Sequence, residues 1–378
     1  MRILYAGSPD CSALVLKELC KLLDGTGNEI VAVLTNPPSA KGRHHDLTPT
    51  PVGMAAEELG LPVVAPEKLD GSAREAVSAY APDLLVCFAY GRIFGPKFMA
   101  LFPKGGINYH PSLLPQYRGC APVPAAIWNM EKETGFTVQK VAQKMDSGDI
   151  LVQKRYKMTG TETADSLLHI AAEEGAPMLR DAILAIQSGK AVGTPQNDDE
   201  ATYSRMLGKE DGAIDWNRSA AEIDAVIRAC TAWPGAFTTV NGTVLKILEA
   251  SVYAGGATGV VSASGAQASS DAVASGASGN GTQAASGANG TQASSDAVAS
   301  GASGDGTQVA SGASDTTGGV KPGTVVGTDK AQGILFQTGN GLLAARVLQW
   351  QAKKAMPFKD FLNGSRNFVG SVCGATED

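Results

Sequence analysis

The sequence predicts an α/β protein: a mostly parallel sheet wrapped by helices, then a smaller β-barrel interrupted by a long low-complexity insertion. Three observations carry that prediction. Over residues 1–187, short apolar strand-like runs alternate with segments of helical period, the pattern of βαβ units. From residue 235 onward strand-like runs follow one another with turn signals between them. Residues 255–320 break that second series with a composition unlike the rest of the chain.

Each element has a local reason. "RILYA" is a short buried-strand run, and residues 11–23 ("CSALVLKELCKLL") place apolar side chains at helical spacing. "EIVAVLT" (29–35) is strand-like, and "PVGMAAEEL" suits a helix with proline in its first turn. "PVVAP" is a short strand, "SAREAVSAY" a helix, and "DLLVCFA" (83–89) a continuous apolar run of the kind buried on both sheet faces. "GGINY" ends another strand. The runs "GFTVQKVA" (135–142) and "DILVQKRYKM" (149–158) are separated by six residues, too few for a crossover helix, so they should pair antiparallel at the sheet edge. Residues 164–187 form a long amphipathic helix or helix pair that closes the first domain. The polar stretch 188–208 is expected to connect it to a second domain, 209–378, in which residues 219–231 have helical period. Asn241-Gly242, between alternating runs, is the strongest short hairpin signal.

Residues 255–319 contain no aromatic residue and only four charges, all Asp, and a stretch beginning at 268 recurs at 293. A 25-residue period can mark a solenoid, but two copies built of Gly, Ser and Ala cannot bury a core. A flexible insertion is expected, and its deletion (257–318) should leave activity largely intact. Six cysteines form no CxxC and no zinc spacing, which favours reduced thiols, a cytoplasmic setting and no metal. No apolar run approaches membrane-spanning length, no signal peptide is read at the start, and a monomer is the default. The net charge of −6 argues against a generally basic surface but not against a local nucleic-acid patch.

The chemistry concentrates in "INYHPSLLPQYRGCAP" (107–122), where Asn108 and His110 sit at a strand's carboxyl end, the usual place for a site in a parallel sheet. An amide and an imidazole aimed at one point make a cradle for a developing oxyanion. Asp146, in the turn between the two edge strands, is the candidate carboxylate. No GxSxG elbow makes Ser112 a nucleophile, so the nucleophile should come from a substrate, most simply an amine. Gly7 ends the first strand without a following GxGxxG, which disfavours a dinucleotide site.

"NYHPSLLPQYRGCAPVPAAIW", followed by "KVAQKMDSGDIL", resembles the folate-dependent formyltransferases, and stretches from residue 1 to about 368 resemble their tRNA-formylating branch. The resemblance implies a Rossmann-like catalytic domain and an OB-like tRNA-binding domain. It implies 10-formyltetrahydrofolate as formyl donor and the α-amine of initiator methionyl-tRNA as acceptor. Asn108 and His110 would stabilise charge on the formyl oxygen, with Asp146 holding His110 and assisting proton removal. Ser112, Leu113, Leu114 and Pro115 would line the folate, with Arg92 near the pterin. Lys41 and Arg43 in the Pro-rich loop 37–51, and Lys353 and Lys354 near the end, would contact tRNA. A sugar-nucleotide N-formyltransferase, a 10-formyltetrahydrofolate hydrolase and a non-catalytic RNA-binding protein stay open as alternatives.

Overall fold

The computed structural model describes residues 1–41, 46–231, 233–255, 319–365 and 367–374, Lys41 by its backbone alone. Arg43, and the insertion but for its first and last residues, lie outside the described residues. In chain order the first half runs β1 (Arg2–Gly7), α1 (Asp10–Leu23), β2 (Glu29–Leu34), β3 (Ser39–Lys41), β4 (Asp46–Thr48), α2 (Pro51–Glu58), β5 (Val63–Val64), α3 (Gly71–Ser78) and β6 (Leu84–Phe88). Then come α4 (Pro96–Met99), β7 (Gly106–His110), β8 (Arg118–Gly119), α5 (Pro122–Trp128), β9 (Glu133–Lys140), β10 (Ile150–Lys157) and α6 (Ala164–Gln187). The second half holds β11 (Tyr203–Ser204), α7 (Ala220–Ala229), β12 (Phe237–Val240), β13 (Thr243–Val252), β14 (Val325–Asp329), β15 (Gly333–Gln337), β16 (Leu342–Trp350), β17 (Met356–Pro357) and α8 (Phe358–Gly364).

Seven strands form the first sheet in the order β10-β9-β7-β6-β1-β2-β5. β5, β2, β1, β6 and β7 are mutually parallel, and β9 and β10 add antiparallel at the edge, as the short connection between them requires. Strand alternation sorts the core. Ile3, Tyr5, Val33, Val86 and Tyr109 face one side with α1 and α6, whereas Leu4, Ala6, Leu34, Leu85 and Cys87 face the other with Phe98 and Phe102. Each large apolar side chain so buried contributes ~1.5–3 kcal/mol relative to exposure. α6 is one continuous helix of 24 residues, not a pair, although Pro177 lies inside it. Its start is fixed by a reciprocal cap between Thr163 and Ser166.

The second sheet is antiparallel, ordered β12-β13-β16-β15-β14, with β17 on β16. Asn241 and Gly242, both at positive φ, make the β12–β13 turn. The sheet curls around Trp216, Phe336, Phe361 and Phe368. Val372 and Cys373 bridge to Thr324 and Val240, tying its two edges together at one corner. The result is a curled half-barrel. Arg228 of α7 donates to the Glu162 carbonyl (2.9 Å), joining the second core to the approach of α6.

Candidate active site

Register builds the site. Asn108 lies between Cys87 of β6 and Gln139 of β9, and His110 pairs with Thr137. Phe136 and Val138 of β9 enter the core, while Thr137 and Gln139 point the other way and are buried although polar. Gln139 therefore stands beside Asn108, and both reach the same carboxylate. Asn108 Nδ2 donates to Asp146 Oδ1 at 3.2 Å, and Gln139 Nε2 donates to the same oxygen at 2.9 Å. The Gly119 amide donates to Asp146 Oδ2 at 2.9 Å.

His110 is 5% exposed. Its Nε2 lies 2.8 Å from the Tyr117 carbonyl oxygen. A carbonyl only accepts, so Nε2 carries the proton and Nδ1 is the nitrogen turned toward Asp146. Nδ1 lies 3.7 Å from Asp146 Oδ2, an ion-pair separation longer than a hydrogen bond. Asp146 is thus held by an amide, a second amide and a backbone N–H, with the imidazole as neighbour. The three expected side chains converge at the carboxyl end of β7.

Two glycines make this possible. At Gly148 a Cβ would fall 1.8 Å from the Lys140 carbonyl oxygen, so the Asp146 turn closes on β9 only with glycine there. At Gly119, φ +110°, a Cβ would meet the Ser204 carbonyl oxygen at 2.3 Å. Asp146 itself has φ +52°.

In the Ser112–Pro115 loop the Ser112 and Leu114 side chains are buried, and Leu113 and Pro115 are half-exposed. Ser112 Oγ donates to the Gln116 carbonyl (2.6 Å), while Gln153 Nε2 donates to the Leu114 carbonyl (3.0 Å). The loop's polar groups are committed internally, so what it offers outward is an apolar edge. Arg92 follows β6, next to β7, and its Nη1 donates to the Pro66 and Glu67 carbonyls (2.8 and 2.9 Å). That guanidinium shapes the turn after β6. Lys353 and Lys354 are exposed in the turn after β16, with no ion pair among the described residues. Lys41 ends β3, and Arg43 lies outside the described residues.

Sequence reasoning missed Gln139, the Gly119 amide, the Tyr117 carbonyl, Arg118 and Gln196. The alternation in "FTVQ" could have exposed Gln139, since a polar face on a buried strand needs a partner. A buried imidazole with a half-buried amide and carboxylate at a parallel strand's end suits acyl transfer to an amine.

Fold and site define a formyl transferase. The formyl transferase family model matches residues 1–183, and the model of the formyl transferase C-terminal domain matches residues 206–276 and 304–366. The chain is 41% identical to the methionyl-tRNA formyltransferase of Treponema denticola, over 98% of each chain, and belongs to the methionyl-tRNA formyltransferase family. It is 34% identical to that of Treponema pallidum, over 97% of each. It also shares its fold with HypX from Aquifex aeolicus, solved in complex with tetrahydrofolic acid, at a TM-score of 0.58 and 16% identity. That alignment covers 98% of this chain and 48% of HypX, so the chain spans about half the length of that protein. No helix among the described residues is long and apolar enough to cross a membrane.

Proposed function

We propose that the chain transfers the formyl group of 10-formyltetrahydrofolate to the α-amine of initiator methionyl-tRNA. The observation that supports this most is the meeting of Asn108, His110 and Asp146 at one strand end, with Asp146 locked by three donors. The folate supplies an activated formyl carbon. Asn108 holds one amide N–H on Asp146 and keeps the other for the formyl oxygen. His110, its Nε2–H fixed on Tyr117, presents the bare Nδ1 to the reacting groups beside the Asp146 carboxylate, 3.7 Å away. Asp146 accepts the proton that the attacking amine loses; the bond from the formyl carbon to the folate N10 then breaks, and a proton passes to that nitrogen as tetrahydrofolate departs. Acid–base help of this kind is worth ~10²–10⁴-fold, and one oxyanion donor ~10²–10³-fold.

Leu113 and Pro115 form the apolar wall for the folate, with Ser112 and Leu114 bracing it and Arg92 fixing the pterin end through the turn after β6. A flat heterocycle against an apolar edge, with backbone groups at its rim, fits these residues. Residues 1–187 act as the catalytic domain, 188–208 as the connection and 209–378 as the tRNA-binding domain. Lys41, Arg43, Lys353 and Lys354 carry the contacts to tRNA phosphates, whose neutralisation makes binding salt-dependent. The enzyme acts as a cytoplasmic monomer.

The test is incubation with 10-formyltetrahydrofolate and a panel of charged tRNAs, following formyl transfer. Transfer confined to initiator methionyl-tRNA is the expected result. Transfer to none of them, or equal transfer to all, would overturn the reading. Arg43→Ala should narrow the discrimination between tRNAs while leaving folate affinity alone.

A further inference from the structure

We infer that Gln196, backed by the buried Arg118, is a positioning residue for Asp146. Gln196 lies in the polar stretch after α6, far in sequence from the catalytic turns. Its Nε2 donates to the Asp146 carbonyl at 2.9 Å and to the Gly148 carbonyl at 2.7 Å, with Gln139 Oε1 at 3.1 Å. Gln139 in turn accepts from the Gly148 amide at 3.2 Å and donates to the Asp146 carboxylate. One amide group thus grips both ends of the turn that aims the carboxylate.

Arg118 holds that amide from behind. Its Nε and Nη2 both donate to Gln196 Oε1, at 3.0 and 2.8 Å. Nη2 also reaches Asp198 Oδ1 at 2.8 Å, and Nη1 reaches the Tyr203 hydroxyl at 3.3 Å. The Arg118 side chain is 1% exposed, so its charge is placed where a loose turn would leave it unsatisfied. The backbone repeats the link: β11 pairs parallel with β8, and Ile150 and Thr194 bridge. Gly119, whose amide also donates to Asp146, is the residue after Arg118. The fork therefore sets both the carboxylate's turn and one of its donors. Two guanidinium N–H groups converging on one amide oxygen fix the orientation of the Gln196 amide.

The inference rests on Asp146 serving formyl transfer as proposed above. The experiment compares wild type with Gln196→Glu, Gln196→Met and Asp146→Ala, reading kcat, KM for donor and acceptor, and thermal midpoint. Gln196→Glu keeps an acceptor for Arg118 but removes the donors to the Asp146 and Gly148 carbonyls. Gln196→Met keeps the volume without charge. Displacing a reacting group by about 1 Å costs ~10²-fold. Both Gln196 variants should lose at least ~10-fold in kcat, with both KM values within about twofold and a folded, cooperative transition. Wild-type kcat in either variant, or a loss confined to KM, overturns the inference while leaving the site intact. An active Asp146→Ala overturns the catalytic reading itself.

Discussion

At the residue scale, the outcome turns on which groups touch the Asp146 carboxylate. The sequence made Asn108, His110 and Asp146 readable, because an amide, an imidazole and an acid at strand ends have few other uses together. It did not show how they are held. Asp146 was expected to orient His110, yet its nearest partners are Asn108, Gln139 and the Gly119 amide. Those partners come from strand register and from turns with positive φ, which depend on pairing at a distance. Gly148 follows from the same geometry. A Gly148→Ala Cβ would meet the Lys140 carbonyl, and overpacking of this kind costs ~1–3 kcal/mol. Urea denaturation should show that loss, and turnover should fall with it because the Asp146 turn must move. An unchanged midpoint and rate would mean the turn has slack.

At the scale of elements, the periodic segments were legible and their partners less so. The apolar run at 83–89 became β6 because burial on both faces demands it. The run at 164–187 left open one helix or two, and the structure gives one, since Thr163 caps its start and Ala171, Gly175 and Leu179 all face the core or the sheet. Tyr109, between the two site residues on β7, donates its hydroxyl to the Ala171 carbonyl of α6 at 2.6 Å. Tyr109→Phe should cost ~1 kcal/mol of stability, as a buried hydrogen bond does, and leave turnover near wild type. Glu162, just before α6, offers a pH test. Burial opposes its ionisation, but hydrogen bonds from the Thr159 and Gly160 amides and the Thr159 hydroxyl outweigh that and hold its carboxyl below the usual range. A depressed folded-state value stabilises fully above the unfolded value of about 4.3, and that contribution fades as pH falls through the folded value. Glu162→Gln should flatten the acid side of the stability curve, checked by denaturation between pH 3 and 6. A variant curve parallel to wild type would contradict the assignment.

At the scale of the molecule, the first sheet carries a core on each face and the second sheet a third, and the polar stretch after α6 is bonded to the turns of the candidate site. Polarity and turn formers mark 188–208 as a connection between domains, and within it Thr194, Gln196 and Tyr203 are also bonded to the loops of the candidate site. Polarity alone could not reveal this, because a polar residue satisfied by a distant carbonyl looks the same in sequence as one satisfied by water. The curled second sheet forms its ladders from residues outside 257–318. Deleting 257–318 should therefore preserve both folding and formyl transfer, and a lost thermal transition would show otherwise.

The most direct measurement is single-turnover formyl transfer at saturating donor and methionyl-tRNA by wild type, Asn108→Ala and His110→Ala, with folate affinity taken on the same preparations. Each variant is predicted to slow by at least ~10²-fold while binding folate within a few-fold of wild type. A wild-type rate in either, or a slowing matched by an equal loss of folate binding, would contradict the assignment of these side chains to the chemical step.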